Sequence, residues 1–244
     1  MLCLFASVQL YLPAVSAGQT EVLIQAAQED FDLRDFESAE NTLLEALANQ
    51  EQDSLSYTIC LQNLALLEYY NFNYRKAEGL YREAIENAEV LCGPNSKVVA
   101  NSLYGLSRCL RHQHRFAEAQ TCINRILKIR SKVYGNEHSL IAKSLMDLAV
   151  NYQRQGKCAE AKPLFEKAIS LHEKHLGKNS QELLPLLLCY QASLKQAGDQ
   201  PGLNKLGEKI KELSQSQKQI RNCRLAQLRS FEEDGSGWQS SALL

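Results

Sequence analysis

The chain has 244 residues, 45% hydrophobic and 23% charged, and its 27 basic and 28 acidic side chains leave a net charge of -1. That length allows a sizeable core, and the charge balance excludes a globally basic nucleic-acid binder as well as a highly charged disordered chain. Gly (12) and Pro (5) are few, while Ala, Leu, Gln, Glu and Lys dominate, so the composition leans all-α.

Residues 1–17 form an almost uncharged apolar run ending in Val15-Ser16-Ala17. Small residues there fit a signal-peptidase site, and a run interrupted by Gln9 and Pro13 is too short for a comfortable membrane span. The expectation is a signal peptide, although the usual basic residues before the apolar stretch are missing; the alternative is a hydrophobic cap helix. The eight cysteines, Cys3, Cys60, Cys92, Cys109, Cys122, Cys158, Cys189 and Cys223, pull the other way. They form no CxxC and no regular framework. Free Cys is commonly a small packing residue, which favours a reducing compartment. The sequence therefore leaves two locations: exported if the leader is cleaved, cytoplasmic otherwise.

The next segments repeat. A first unit has Ala27, Asp35-Phe36-Glu37-Ser38-Ala39, Leu43 and Ala46. A second runs from Asn63-Leu64-Ala65 through Tyr74-Arg75-Lys76-Ala77-Glu78 to Tyr81, Ala84 and Ile85. A third has Leu106-Ser107, Phe116-Ala117-Glu118-Ala119 and Ile123, Ile126, Leu127. A fourth has Leu148-Ala149, Cys158-Ala159-Glu160-Ala161 and Phe165, Ala168, Ile169. The anchors Ala77, Ala119 and Ala161 lie 42 residues apart, as do Leu64, Leu106 and Leu148. The links Cys92-Gly93-Pro94-Asn95-Ser96, Tyr134-Gly135-Asn136-Glu137-His138 and Leu176-Gly177-Lys178-Asn179-Ser180 keep the same step. Each link predicts a glycine in the left-handed conformation that stops one helix, and an Asn or Ser that caps the next. A partial fifth unit starts at Leu187-Leu188-Cys189-Tyr190 and continues to Gly198-Asp199. Units of helix, turn, helix and glycine stop cannot bury their apolar faces alone, so they stack.

Residues 203–230 are helical in composition but more polar, with Leu206, Ile210 and Leu213 at helical spacing. Their Lys205, Lys209, Lys211, Lys218, Arg221, Arg224 and Arg229 predict a solvated capping helix, or a basic docking surface. Residues 231–244, with Trp238, read as a disordered tail.

The Leu-Ala pair, the aromatic about twelve residues on, the Glu-Ala and the following Tyr or Phe resemble the tetratricopeptide repeat. The 42-residue period and the Gly-Pro-Asn or Gly-Asn-Glu-His links are similar to its kinesin-light-chain type. The resemblance covers roughly residues 20 to 215 and implies a right-handed α-solenoid of about five helix-turn-helix units over residues 18–202. Ser107 in place of Ala, and His114 in place of the glycine at Gly156, mark a divergent member. The resemblance also implies that the first helix of each unit lines a concave face. That places Gln62, Asn63, Leu66, Tyr69 and Tyr70 there, with Asn101, Tyr104, Arg108, Arg111 and His112. From the later units come Lys143, Met146, Val150, Gln153, Arg154 and Lys195. Asn63 stands where such repeats often carry a backbone-binding asparagine; Gly105 and Asp147 occupy the matching places.

No nucleotide-loop, zincin or nucleophile-elbow string occurs, so no catalytic residue is expected and no cofactor is implied. The best metal candidate is Cys109 with His112, near His114 and Cys122; their placement in helix and turn argues against a tetrahedral set. The expected function is a non-enzymatic protein-interaction module or adaptor that holds a peptide, acidic in character, in its groove. The alternative is a regulatory or peptide-sensing subunit of an associated enzyme. Neither a nucleic-acid partner nor a stable membrane span is expected, and the open fifth unit leaves an apolar end capable of self-association.

Overall fold

A computed structural model of the protein describes residues 19–48, 54–178, 180 and 182–215. The expectations for residues 1–17, for the capping stretch beyond 215 and for the tail with Trp238 lie outside the described residues.

Among the described residues the helices follow in order: α1 Gln19–Asp32, α2 Phe36–Ala48, α3 Leu55–Tyr70, α4 Tyr74–Cys92, α5 Lys97–His112, α6 Phe116–Tyr134, α7 Ser139–Arg154, α8 Cys158–Leu176 and α9 Leu183–Ala197. A further helix, α10, is described over 200–215. They pair as α1–α2, α3–α4, α5–α6 and α7–α8, and each pair packs on the next, while Leu206 and Leu213 of α10 join the core with Leu187 and Leu194 of α9, to give an all-α solenoid of helix-turn-helix units. The fifth pair is completed by α10, which begins at 200, three residues before the expected capping stretch. Among the described residues no strand occurs, and no helix is long and apolar enough to cross a membrane.

Stacking depends on small residues where helices cross. Ala39, Ala77, Ala119 and Ala161 are all fully buried, as are Ala65 and Ala149 on the facing helices. Ser107 replaces the alanine of the third unit without leaving a polar orphan, because its hydroxyl donates to the Tyr104 carbonyl at 2.8 Å. Larger side chains fill the space around these points. One core cluster joins Ala65, Tyr81, Leu103, Leu106 and Ile126; a second joins Leu145, Phe165, Leu187, Leu206 and Leu213. The ring of Phe165 stacks on Tyr190 with centroids 5.3 Å apart.

Two kinds of turn alternate. Inside each unit, one residue takes a positive φ: Arg34 (63°), Phe72 (63°), His114 (59°), Gly156 (78°) and Gly198 (70°). The chain then folds back on the helix end, as when the Arg115 amide donates to the Leu110 carbonyl at 2.9 Å. Between units, the helix-stopping glycines depart from expectation. Gly93, Gly135 and Gly177 have φ of 81°, 82° and 82° with ψ of 159°, 165° and 156°. That is extended backbone at positive φ, open essentially to glycine alone, and not a left-handed helical turn. It points the chain straight into the next cap. After Gly93, Ser96 fills that role, accepting from the Val99 amide, as Ser54 does before α3 from the Tyr57 amide, whereas Glu182, the N-cap of α9, makes no side-chain cap bond. Before α7, His138 takes it: Nδ1 accepts from the Leu140 amide at 3.1 Å.

Candidate functional site

The first helices of successive units touch side by side and are stitched by side chains. Gln62 Nε2 donates to Ser102 Oγ at 2.6 Å and to the Val98 carbonyl at 3.2 Å. Tyr69 and His112 share a hydrogen bond of 2.8 Å, and Arg111 donates to Asp147 Oδ1 at 3.0 Å. The side chains these helices leave open include those that the sequence assigns to the inner face. Gln62, Leu66, Tyr69, Tyr70, Tyr104, Arg108, Arg111, Lys143, Met146, Val150 and Gln153 are half-buried there, and Asn101, His112, Arg154 and Lys195 are exposed.

Arg108 sits at the middle of this face. Its guanidinium lies 4.2 Å from the centre of the Tyr69 ring, 5.9 Å from Tyr70 and 5.8 Å from Tyr104. Aromatic faces stabilise a cation and fix its plane. A fourth tyrosine supports the arrangement from an unexpected helix. Tyr81 belongs to α4, a second helix, but a Cβ on Gly105 would stand 2.1 Å from the Tyr81 ring. The bare Gly105 backbone therefore lets that ring in, and burial pushes the Tyr81 hydroxyl pKa far up, with Arg108, Tyr69 and Tyr70 close enough to act on it. Periodicity assigns the inner face to first helices alone and so misses Tyr81. The available signal was Gly105 itself, because glycine in a helix interior costs stability without such a reason.

The cations are not equivalent. Arg111 is spent on Asp147, and Arg130 is buried with its guanidinium donating to Ser144 Oγ at 2.7 Å. Among the described residues no carboxylate pairs with Arg108, Lys143, Arg154 or Lys195. Among the described residues, the amide nitrogen of Asn63, 7% exposed, has no partner, and neither has Oδ2 of Asp147, 4% exposed. Both lie beneath the surface and not on it. His112 stacks on Tyr74 at 4.5 Å, and burial, then Arg111, Arg108 and Arg154, lower its pKa. At the positions that Tyr104 and Arg108 hold on α5, the later helices are apolar, with Met146 and Val150 half-buried and Leu188 48% exposed.

The metal candidate does not assemble. Cys109 is fully buried in the core, and burial pushes its thiol up to about 12, whereas His112 faces outward. Among the described residues no group of three His, Cys, Asp or Glu could hold a metal ion. The described cysteines Cys60, Cys92, Cys109, Cys122, Cys158 and Cys189 are free thiols.

Comparison with known proteins places this architecture. The tetratricopeptide-repeat family model matches residues 57–125 and again 98–174. No curated protein sequence matches the chain. A kinesin-light-chain repeat structure from Podosopora anserina is similar in fold, with a TM-score of 0.71 at 17% identity over 82% of this chain and 96% of that one. BtubC (BKLC) from P. vanneervenii has a TM-score of 0.67 at 21% identity, covering 92% of this chain and 85% of that one. The apo form of RapI has a TM-score of 0.60 at 14% identity, covering 85% and 87%. This architecture generally serves protein-protein interaction. With stacked pairs in 42-residue register and the family model matched twice, residues 57–174 carry tetratricopeptide repeats, similar in fold to those of the kinesin-light-chain structures.

Proposed function

We propose that the inner face binds an extended segment of a partner protein carrying acidic residues, and that the chain acts as an adaptor without catalysis of its own. The observation that carries this reading is Arg108, a half-buried guanidinium held against tyrosine rings with no carboxylate partner among the described residues. A cation kept partly out of water without a counter-charge costs stability in the free protein, and a ligand carboxylate would recover it. Lys143, Arg154 and Lys195 extend the same unpaired charge along the face, in a chain whose net charge is only -1. Tyrosines supply rigid contact area beside it.

The test is selection of random displayed peptides on the purified chain, followed by charge reversal of Arg108→Glu with Arg154→Glu. These two residues are chosen because neither holds an ion pair among the described residues. Arg111→Glu would set a second carboxylate against the buried Asp147 and disturb the fold. Binding should weaken sharply and its salt dependence should fall. Peptides that bind the double variant as well as the parent would sink the reading.

A further inference from the structure

We propose that the inner face reads a fixed register: a side-chain carboxylate on Arg108 and an apolar side chain about three residues away, seated on Met146, Val150 and Leu188. This rests on the groove reading and names what the groove selects.

Arg108 and Val150 occupy the same position of successive units, 42 residues apart, and so do Tyr104, Met146 and Leu188. The face therefore changes character in one step along the solenoid. On α5 it offers Tyr104 and Arg108; on α7 it offers Met146 and Val150; on α9 it offers Leu188 and Ala192, both exposed. Helices packed side by side stand roughly 8–10 Å apart, and an extended chain advances about 3.3 Å per residue. One unit of solenoid thus corresponds to about three residues of ligand.

The anion subsite suits a carboxylate within a chain. A single guanidinium matches one carboxylate in two parallel hydrogen bonds. A dianionic phosphate would want a second free cation beside Arg108 on α5, and there Arg111 is committed to Asp147, while Lys143 and Arg154 stand on α7. The negative charge of Asp147 reaches this place: together with burial it pushes the Tyr104 hydroxyl up to about 12, Asp147 contributing most. A terminal carboxylate is disfavoured because the face continues on both sides of Arg108, with Leu66 on α3 and Val150 on α7 at the equivalent positions. The occupant is a through-running segment of a partner protein with an acidic and an apolar residue in that spacing.

The experiment reads the register from the displayed-peptide selection. Peptides recovered on the parent chain should pair Asp or Glu with Leu, Ile, Met or Phe three positions away, above the library frequency. Selection on Arg108→Met, which keeps the aliphatic stem against the tyrosines, should lose the acid and keep the apolar residue. Selection on Met146→Gln with Leu188→Ser should do the reverse. In the best synthetic peptide, Glu→Gln, Glu→phosphoserine and insertion of one residue inside the pair should each weaken binding about tenfold or more. Recovered peptides that lack the pair, tolerate the insertion or prefer phosphoserine overturn the register while leaving the groove reading intact. Recovery of no peptide at all overturns the groove reading itself. A synthetic peptide of residues 216–244 that displaced the selected peptides would make the chain's own segment the occupant and overturn the external partner.

Discussion

The third unit (α5–α6) and the fourth (α7–α8) share one register and differ in what it carries. Ala119 and Ala161 are both fully buried, and Leu106 and Leu148 both sit in the core. Elsewhere the same position holds opposite chemistry: Gly105 against Asp147, Arg108 against Val150, His114 against Gly156, Arg130 against His172. The shared positions are those where one helix crosses another, so stacking dictates them. The divergent ones carry groove candidates, end a helix or bury a polar group, and Gly105, Arg108, Asp147 and Arg130 each meet a neighbour outside the unit. Arg130 is buried and bonded to Ser144, whereas His172, in the equivalent place, is buried with Nδ1 unpartnered among the described residues.

Exchanging residues between the two units tests that division, and the largest effect belongs to Gly105→Asp. Its Cβ would enter the Tyr81 ring, and its carboxylate would be buried without the Arg111 that serves Asp147. The expected loss is about 3 kcal/mol or more from overpacking and an unpaired buried charge. Asp147→Gly should cost less, since it removes one ion pair and adds a helical glycine worth roughly 0.5–1 kcal/mol. Urea unfolding of both variants decides. Equal losses would mean that Tyr81 yields freely and Gly105 has no special role. Next in size, Ala119→Leu and Ala161→Leu should each cost about 1–3 kcal/mol, because both crossings are closed. A loss confined to one would break the claim that the interior is common to both units.

The interior was legible in the sequence for the reason these variants exploit. Crossing points demand small residues, so Ala77, Ala119 and Ala161 recur at fixed spacing and betray the fold. The helices that carry Gln62 to Arg154 were legible too. Which of those cations is free was not. Arg111 finds Asp147, 36 residues away on the next unit, and Tyr81 enters beside Gly105 from a second helix. Such lateral contacts leave no period.

A smaller effect separates the turns. His114 holds φ at 59° where Gly156 holds 78°. A side chain in left-handed backbone costs about 1–2 kcal/mol, partly offset because glycine loosens the unfolded chain. His114→Gly should therefore raise stability by up to about 1 kcal/mol, and Gly156→Ala should lower it by a similar amount. Thermal unfolding followed by circular dichroism resolves both. A destabilised His114→Gly would show that the His114 ring, which meets Phe116 edge-on at 5.7 Å, outweighs the strain.

The smallest expected effect is one of pH, and it belongs to His172. Burial lowers the pKa of this 4% exposed imidazole, with Lys143 and His175 adding to burial and Glu182 opposing it. Above the unfolded value of about 6.5 both states are neutral and the residue contributes no pH dependence. As pH falls through 6.5 the unfolded chain takes up the proton first, so stability declines until the folded pKa is passed. Glu78 and Asp199, whose pKa values are lowered from 4.5 and 3.8, lose their contribution only below those values. The window between about pH 5 and 6.5 therefore isolates the histidines. His112 is shifted in the same direction, so it adds to the parent slope in that window. His172→Leu should flatten part of that slope, and His112→Gln a further part. Stability from urea titrations across this window gives the answer. A slope unchanged in His172→Leu would mean that the imidazole finds a proton acceptor when charged, and that the fourth unit tolerates its buried polar group as well as the third tolerates Arg130.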